Sequence, residues 1–213
     1  MTLWLMRHAR VELAAGVCYG VFDCAADARA TARAAQALAE QLPHQLAVAV
    51  SPLRRCVQLA EALGHLRPDL VFTRDPRLAE LDFGCWEGIA WAQIPRAALD
   101  AWVADFGAHR FGGAESANAL MARVASAWDA HWARSQDAAW ITHAGVLRAV
   151  ALLQQGVRQV DSAAQWPLQS PAFGELRVLR APTPGAGNSG LQHGNIGERA
   201  GVGQMNAHPQ QVE

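Results

Sequence analysis

Two short apolar runs end on histidine, and that punctuation constrains the fold more than any other feature of the chain. Thr2-Leu3-Trp4-Leu5-Met6 gives way to Arg7-His8, and Ala139-Trp140-Ile141-Thr142 gives way to His143. Apolar runs this short fit strands covered on both faces, as in a parallel sheet. Leu46-Ala47-Val48-Ala49-Val50 and Leu70-Val71-Phe72-Thr73 read the same way, and residues 175–180 read as a last strand. Helical patterns lie between them, over residues 25–42, 97–106, 116–134 and 146–155. Another helix is predicted to open with Ser51 as N-cap and Pro52 at its first position, ending at Leu63 before Gly64. Residues 9–24, with Gly16, Gly20 and the single tyrosine, Tyr19, read as a loop. This alternation predicts a three-layer α/β/α domain around a mostly parallel sheet. Ligands of such sheets gather beyond the carboxyl ends of the strands. His8 and His143 therefore fall in one site, and Arg7 marks it for an anion.

The predicted domain covers residues 1–180. Residues 181–213 are crowded with glycine and lack aromatic side chains, so they read as a disordered tail. His193 and His208 in that tail are too loosely spaced to suggest a metal site. A net charge of -1 gives no reason to expect nucleic acid or an anionic membrane as a partner. All 18 basic residues are arginine. The lack of lysine excludes a lysine Schiff base and a Walker A phosphate loop. Cys18, Cys24, Cys56 and Cys85 form no C-x-x-C pair or metal-ligand spacing, so no metal or other cofactor is expected. The chain opens on a strand rather than a basic segment followed by an apolar stretch, and no apolar run is long enough to span a bilayer. A cytoplasmic protein with reduced thiols is the expectation. Trp102, Trp128, Trp132 and Trp166 read as core, so they imply no particular oligomeric state.

Four segments carry chemistry: Arg7-His8; Ser51-Pro52-Leu53-Arg54-Arg55; Glu80-Leu81-Asp82-Phe83-Gly84 with Glu87-Gly88; and His143-Ala144-Gly145. Arg54 falls in a helical first turn, where the macrodipole disfavours a cation unless an anion is opposite. Singly, each segment has a bland reading: a surface pair, a solvated helix face, an exposed ion pair, a core histidine. Together and in this order they resemble the histidine phosphatase superfamily, in its phosphoglycerate mutase-like branch. The likeness runs over residues 1 to about 180. Arg7-His8-Ala9 stands for that family's Arg-His-Gly, Ser51 to Arg55 for Ser-Pro-Leu-x-Arg, and His143-Ala144-Gly145 for its late His-x-Gly. Gly16-Val17-Cys18-Tyr19-Gly20 resembles a loop of the α-ribazole phosphatases, which act late in cobalamin synthesis. The chain departs from the family at Ala9, at Arg10 where an acidic residue is common, and at Leu13-Ala14-Ala15 where an asparagine is usual. Gly113-Ala114-Glu115-Ser116 replaces Gly-Gly-Glu-Ser.

The resemblance implies hydrolysis of a phosphate monoester on a small phosphorylated metabolite, α-ribazole 5′-phosphate first among them. His8 would be the nucleophile and Glu80 the acid for the leaving alkoxide. A protonated His143 would bind a phosphoryl oxygen, with Arg7, Arg54, Arg10 and Ala144 as further substrate contacts. No metal is required. The same residues leave three rivals: a broad small-metabolite phosphatase, a phosphoglycerate mutase-type phosphotransfer enzyme, and a non-catalytic binding module.

Overall fold

The apolar runs become β1 (Thr2–Arg7), β2 (Ala47–Val50), β3 (Val71–Arg74), β4 (Ala138–Thr142) and β5 (Leu176–Arg180) of one sheet. The structure is a computed structural model that describes residues 1–169 and 171–180. The expected disordered tail, with His193 and His208, lies outside the described residues. The strand order is β3-β2-β4-β1-β5; all neighbours are parallel except β5, which is antiparallel to β1. The helices are α1 (Ala28–Ala39), α2 (Arg54–Leu66), α3 (Arg96–Ala104), α4 (Ala117–Arg134) and α5 (Ala144–Gln154).

Alternation along the strands divides the core in two. Leu3, Leu5 and Trp140 face one apolar cluster with Leu120 and Val124 of α4 and Val146 and Val150 of α5. Met6, Val48, Val50, Ala139 and Ile141 face the other, with Leu38 of α1 and Leu59 and Leu63 of α2. The architecture is therefore the expected α/β/α sandwich. Each fully buried leucine or isoleucine in it contributes about 1.5–3 kcal/mol relative to exposure. Trp102 is buried in the first cluster, and Trp128, Trp132 and Trp166 pack against it. Among the described residues no helix is long and apolar enough to cross a membrane.

Three helix starts differ from expectation: α1, expected over residues 25–42, spans Ala28–Ala39 with Asp27 as its N-cap, and α2 and α5 differ too. α2 begins at Arg54, with Leu53 in the N-cap position and no side-chain cap. Pro52 holds Ser51 in extended backbone. The Ser51 N–H therefore adds a rung to the ladder by donating to Ile141 O at 2.9 Å. α2 also passes through Gly64 to Leu66 and ends where the Arg67 N–H returns to Leu63 O. The Arg67 guanidinium holds the carbonyls of Ala39, Leu42 and Pro43 at the end of α1. α5 begins directly after the sheet, with His143 in the N-cap position.

Candidate active site

Strand register makes the site. Arg7 of β1 pairs with Thr142 of β4, so the next residues, His8 and His143, emerge side by side. The His8 N–H donates to Thr142 O at 3.1 Å, and the two ring centroids lie 5.1 Å apart. Both side chains are buried. His8 Nδ1 lies 2.7 Å from Ala9 O. A carbonyl can only accept, so Nδ1 carries the proton and Nε2 keeps its lone pair. Burial, then Arg55, then Arg7 push the His8 ring well below the ordinary histidine range. A neutral imidazole with a bare Nε2 is the form needed for nucleophilic attack.

His143 is held differently. Its Nδ1 accepts from Arg55 Nε at 3.2 Å, so Nε2 is the protonated nitrogen and donates to Ser51 Oγ at 2.7 Å. Burial first, then Arg55, His8, Arg123 and Arg7, push this ring well below the ordinary range as well. The expected imidazolium is thus a neutral imidazole here. A dianionic phosphoryl group beside it would oppose those cations and favour protonation.

The expected substrate arginines divide. Arg7 is buried and its Nη1 donates to Pro171 O at 3.0 Å. Burial lowers its pKa, opposed by Tyr19 and Glu80. Arg54, singled out from the sequence, is exposed, and the anion at this helix start is Asp23, whose Oδ1 accepts the Arg54 backbone N–H at 2.6 Å. Arg55 is the inward residue: it is fully buried and bonds His143. Its helical position gave the signal. Arg55 shares a face with Leu59 and Leu63, at i+4 and i+8, whereas Arg54 aligns with Gln58, Glu61 and His65 on the polar face. Arg10 has its guanidinium largely exposed and 3.7 Å from Asp27, the N-cap of α1.

Glu80 is delivered by the loop after β3 onto the start of α5. Its Oε2 accepts the Gly145 N–H at 3.0 Å and its Oε1 accepts the Leu81 N–H at 3.0 Å. A Cβ at Gly145 would collide with the Glu80 carboxylate, which is why the late motif needs glycine there. Ala144 is buried as the first residue of α5. Below the carboxylate, Arg123 donates to the carbonyls of Arg77 (2.9 Å), Ala79 (2.6 Å) and Glu80 (2.9 Å). Its other donors form a fork on Glu115 at 2.7 and 2.9 Å. Arg148, one turn along α5 from Gly145, is also buried and feels the Glu80 charge. Sequence reading missed Arg123 and Arg148 as supports for this acid.

Glu87 organises the loop across the site. Its carboxylate accepts four backbone N–H groups, from Gly20, Val21, Phe22 and Phe83, at 2.8–3.0 Å. The carbonyls of Gly20 and Phe22 are thereby aimed at Arg55, which donates to both. Tyr19 lies under the same guanidinium, 5.4 Å from its ring centroid. The buried thiols are unsuited to attack: burial pushes Cys56, which touches His143, up to about 12, and also raises Cys18 and Cys24.

The cluster pairs one bare imidazole nitrogen with two buried guanidinium groups and a carboxylate fixed at a helix start. That set can take a phosphoryl group and protonate its leaving oxygen. The histidine phosphatase superfamily (branch 1) model matches residues 3–171. A search of curated proteins finds no match. Among solved structures, the chain is similar to a Thermus thermophilus protein at 29% identity and TM-score 0.62, covering 85% of this chain and 95% of that one. It shares its fold with mycobacterial glucosyl-3-phosphoglycerate phosphatase, at 24% identity, TM-score 0.69 and coverage of 84% and 90%. The same holds for the α-ribazole phosphatase of Shigella flexneri, at 22% identity, TM-score 0.71 and coverage of 86% and 92%. With the match spanning both histidines, Arg55 and Glu80, the chain belongs to the histidine phosphatase superfamily, branch 1, and is a phosphomonoesterase-type enzyme.

Proposed function

We propose that this enzyme hydrolyses a small phosphate monoester through a phosphohistidine on His8, with α-ribazole 5′-phosphate as the favoured substrate. The observation that carries the mechanism is the His8 Nδ1 bond to Ala9 O, which commits Nε2 to the lone pair. Nε2 attacks phosphorus in line and the ester P–O bond breaks. The alkoxide takes a proton from Glu80. Water then attacks the phosphohistidine, gives a proton to the Glu80 carboxylate, and the P–N bond breaks to return His8. Arg7 and Arg55 neutralise the equatorial oxygens, a task bidentate guanidinium groups perform without a metal ion. For His143 to meet a phosphoryl oxygen, its bond to Arg55 or to Ser51 must open. Either exchange recruits a second donor to the same oxygens. The substrate choice is supported by the Gly16 to Gly20 loop and by the fold shared with an α-ribazole phosphatase.

The test is phosphate release from α-ribazole 5′-phosphate, sugar phosphates and nucleotides in EDTA, with His8→Ala in parallel. Unsubstituted enzyme should turn over the ribazole ester fastest, and His8→Ala should lose at least about 10⁴-fold. A flat panel would keep the mechanism and make this a broad metabolite phosphatase. Dependence on a bisphosphate primer would make it a mutase. Loss of activity in EDTA, restored by a divalent ion, would sink the metal-free chemistry.

A further inference from the structure

Among the described residues, Phe22 and Phe173 are the two exposed side chains of the Phe, Tyr and Trp set, and Phe173 lies against the site residues Arg7 and His8. The other phenylalanines and the tryptophans are buried or partly buried. Phe173 lies with its ring centroid 3.9 Å from the Arg7 guanidinium carbon and 5.5 Å from the His8 ring, yet is 40% exposed. Phe22 is 43% exposed, and its carbonyl is held by Arg55. Large apolar side chains left open beside a charged pocket are the composition of a ligand site rather than of a core.

The backbone around Phe173 is fixed on both sides. Arg7 Nη1 holds Pro171 O, the Gly174 N–H reaches the carbonyls of Arg7 and His8 at 3.2 and 3.1 Å, and the Arg7 N–H donates to Glu175 O at 3.2 Å. Gly174, at φ +74°, makes the turn that sends the chain from residues 171–173 into β5. A side chain needed only to shield Arg7 would gain by being covered itself. Phe173 instead packs on the guanidinium while two-fifths of its surface stays open.

We propose that Phe173 is the specificity-determining surface of this enzyme and takes the flat face of an aromatic ring borne by the alcohol of the substrate. The inference rests on the phosphomonoesterase reading and names the part of the substrate that the phosphate pocket does not. With a phosphoryl group held by His8 and Arg7, a substituent of the alcohol that turns toward Phe173 meets the open face of its ring, where a heteroaromatic base can stack and a bare sugar cannot.

Two readouts test it. In the first, α-ribazole 5′-phosphate and ribose 5-phosphate are compared, since both leave from a ribose 5′-oxygen and differ in the base. Phe173→Leu removes the ring from Arg7 for both substrates, so the readout is the difference: kcat/KM for the base-bearing ester should fall about tenfold more than for ribose 5-phosphate, chiefly through KM, and Phe173→Tyr should restore the difference. In the second, calorimetry measures affinity for the non-hydrolysable 5′-phosphonates of the same two compounds. The base-bearing phosphonate should bind about tenfold tighter, and Phe173→Leu should erase that margin. Equal changes for both compounds, or none for the base-bearing one, would overturn the proposal while turnover persists. Absence of turnover with the calorimetric margin intact would overturn the phosphatase reading and keep the aromatic surface.

Discussion

At the scale of single residues, Arg54 and Arg55 show how one position on a helix separates a solvated cation from a catalytic one. Arg55 has no exposed surface and reaches His143, the Gly20 and Phe22 carbonyls and the Tyr19 ring. Burial first and the Arg55 charge second hold both site histidines below the ordinary range, and Arg55 is the second cation available to a phosphoryl group. Arg55→Ala should therefore cost about 10²–10³-fold in kcat, the loss seen when one donor to a developing oxyanion is removed. Arg54→Ala, on the polar face, should leave kcat/KM within about twofold. Steady-state kinetics on both variants decides the assignment, and the reverse order of effects would return the role to Arg54. The sequence made His8, His143, Glu80 and Arg7 legible because each follows an apolar run or sits in a spaced motif. It made an arginine after Ser51-Pro52-Leu53 legible too, but two stand in tandem; the Ser-Pro-Leu-x-Arg spacing and the register of the apolar stripe on α2 both favour the second. Ser51 was misread for a related reason. Serine before proline fits an N-cap, and nothing local reveals that a histidine 92 residues away claims its hydroxyl.

At the scale of elements, the junctions between strands and helices do the positioning. β4 passes into α5 without an intervening loop, so His143 is at once the end of the ladder and the N-cap position of the helix. The first turn of α5 then offers the Gly145 N–H to Glu80, where the helix dipole favours a carboxylate. The missing side chain leaves room for this contact, because a Cβ at Gly145 would clash with Glu80 Oε1 and push the carboxylate aside. Gly145→Ala should displace the acid by about an ångström and lower kcat by about 10²-fold. The melting temperature should move only a few degrees, since alanine suits a helix better than glycine. A kcat within twofold of the parent would show that Glu80 does not act from this seat. Periodicity placed the strands and long helices within a few residues, because each has a repeating apolar face. The loop from Ala9 to Cys24 has none. Its shape comes from Glu87, which collects the N–H groups of Gly20, Val21 and Phe22 from 65 to 67 residues away, and a glutamate in sequence carries no mark of which amides it will collect.

At the scale of the whole molecule, the site imposes a pH dependence on the fold itself. His8 and His143 are buried and held well below the ordinary histidine value of about 6.5, by desolvation first and Arg55 second. His131, buried on α4, is shifted in the same direction, chiefly by desolvation. An unfolded chain takes up protons on these rings as pH falls through 6.5, while the folded one does not. Stability is therefore complete above that value and is lost as pH drops below it. Between pH 7.5 and 5.5 each ring that stays neutral in the fold costs about 1.4 kcal/mol, so the two site histidines together cost roughly 3 kcal/mol. The lowered carboxylates, Asp69 beside Arg67 and Asp129 beside Arg158 among them, act through protonation below about pH 4 and leave this window to the histidines. Urea unfolding at the two pH values should show that loss, and His8→Gln should remove about half of it. Inorganic phosphate should reduce it further, because an anion between Arg7 and Arg55 favours a protonated His143 in the folded state. A stability that is flat across the window, with the parent and His8→Gln alike, would mean that the rings are already protonated in the fold. The neutral nucleophile on which the chemistry depends would then have to be formed at each turnover.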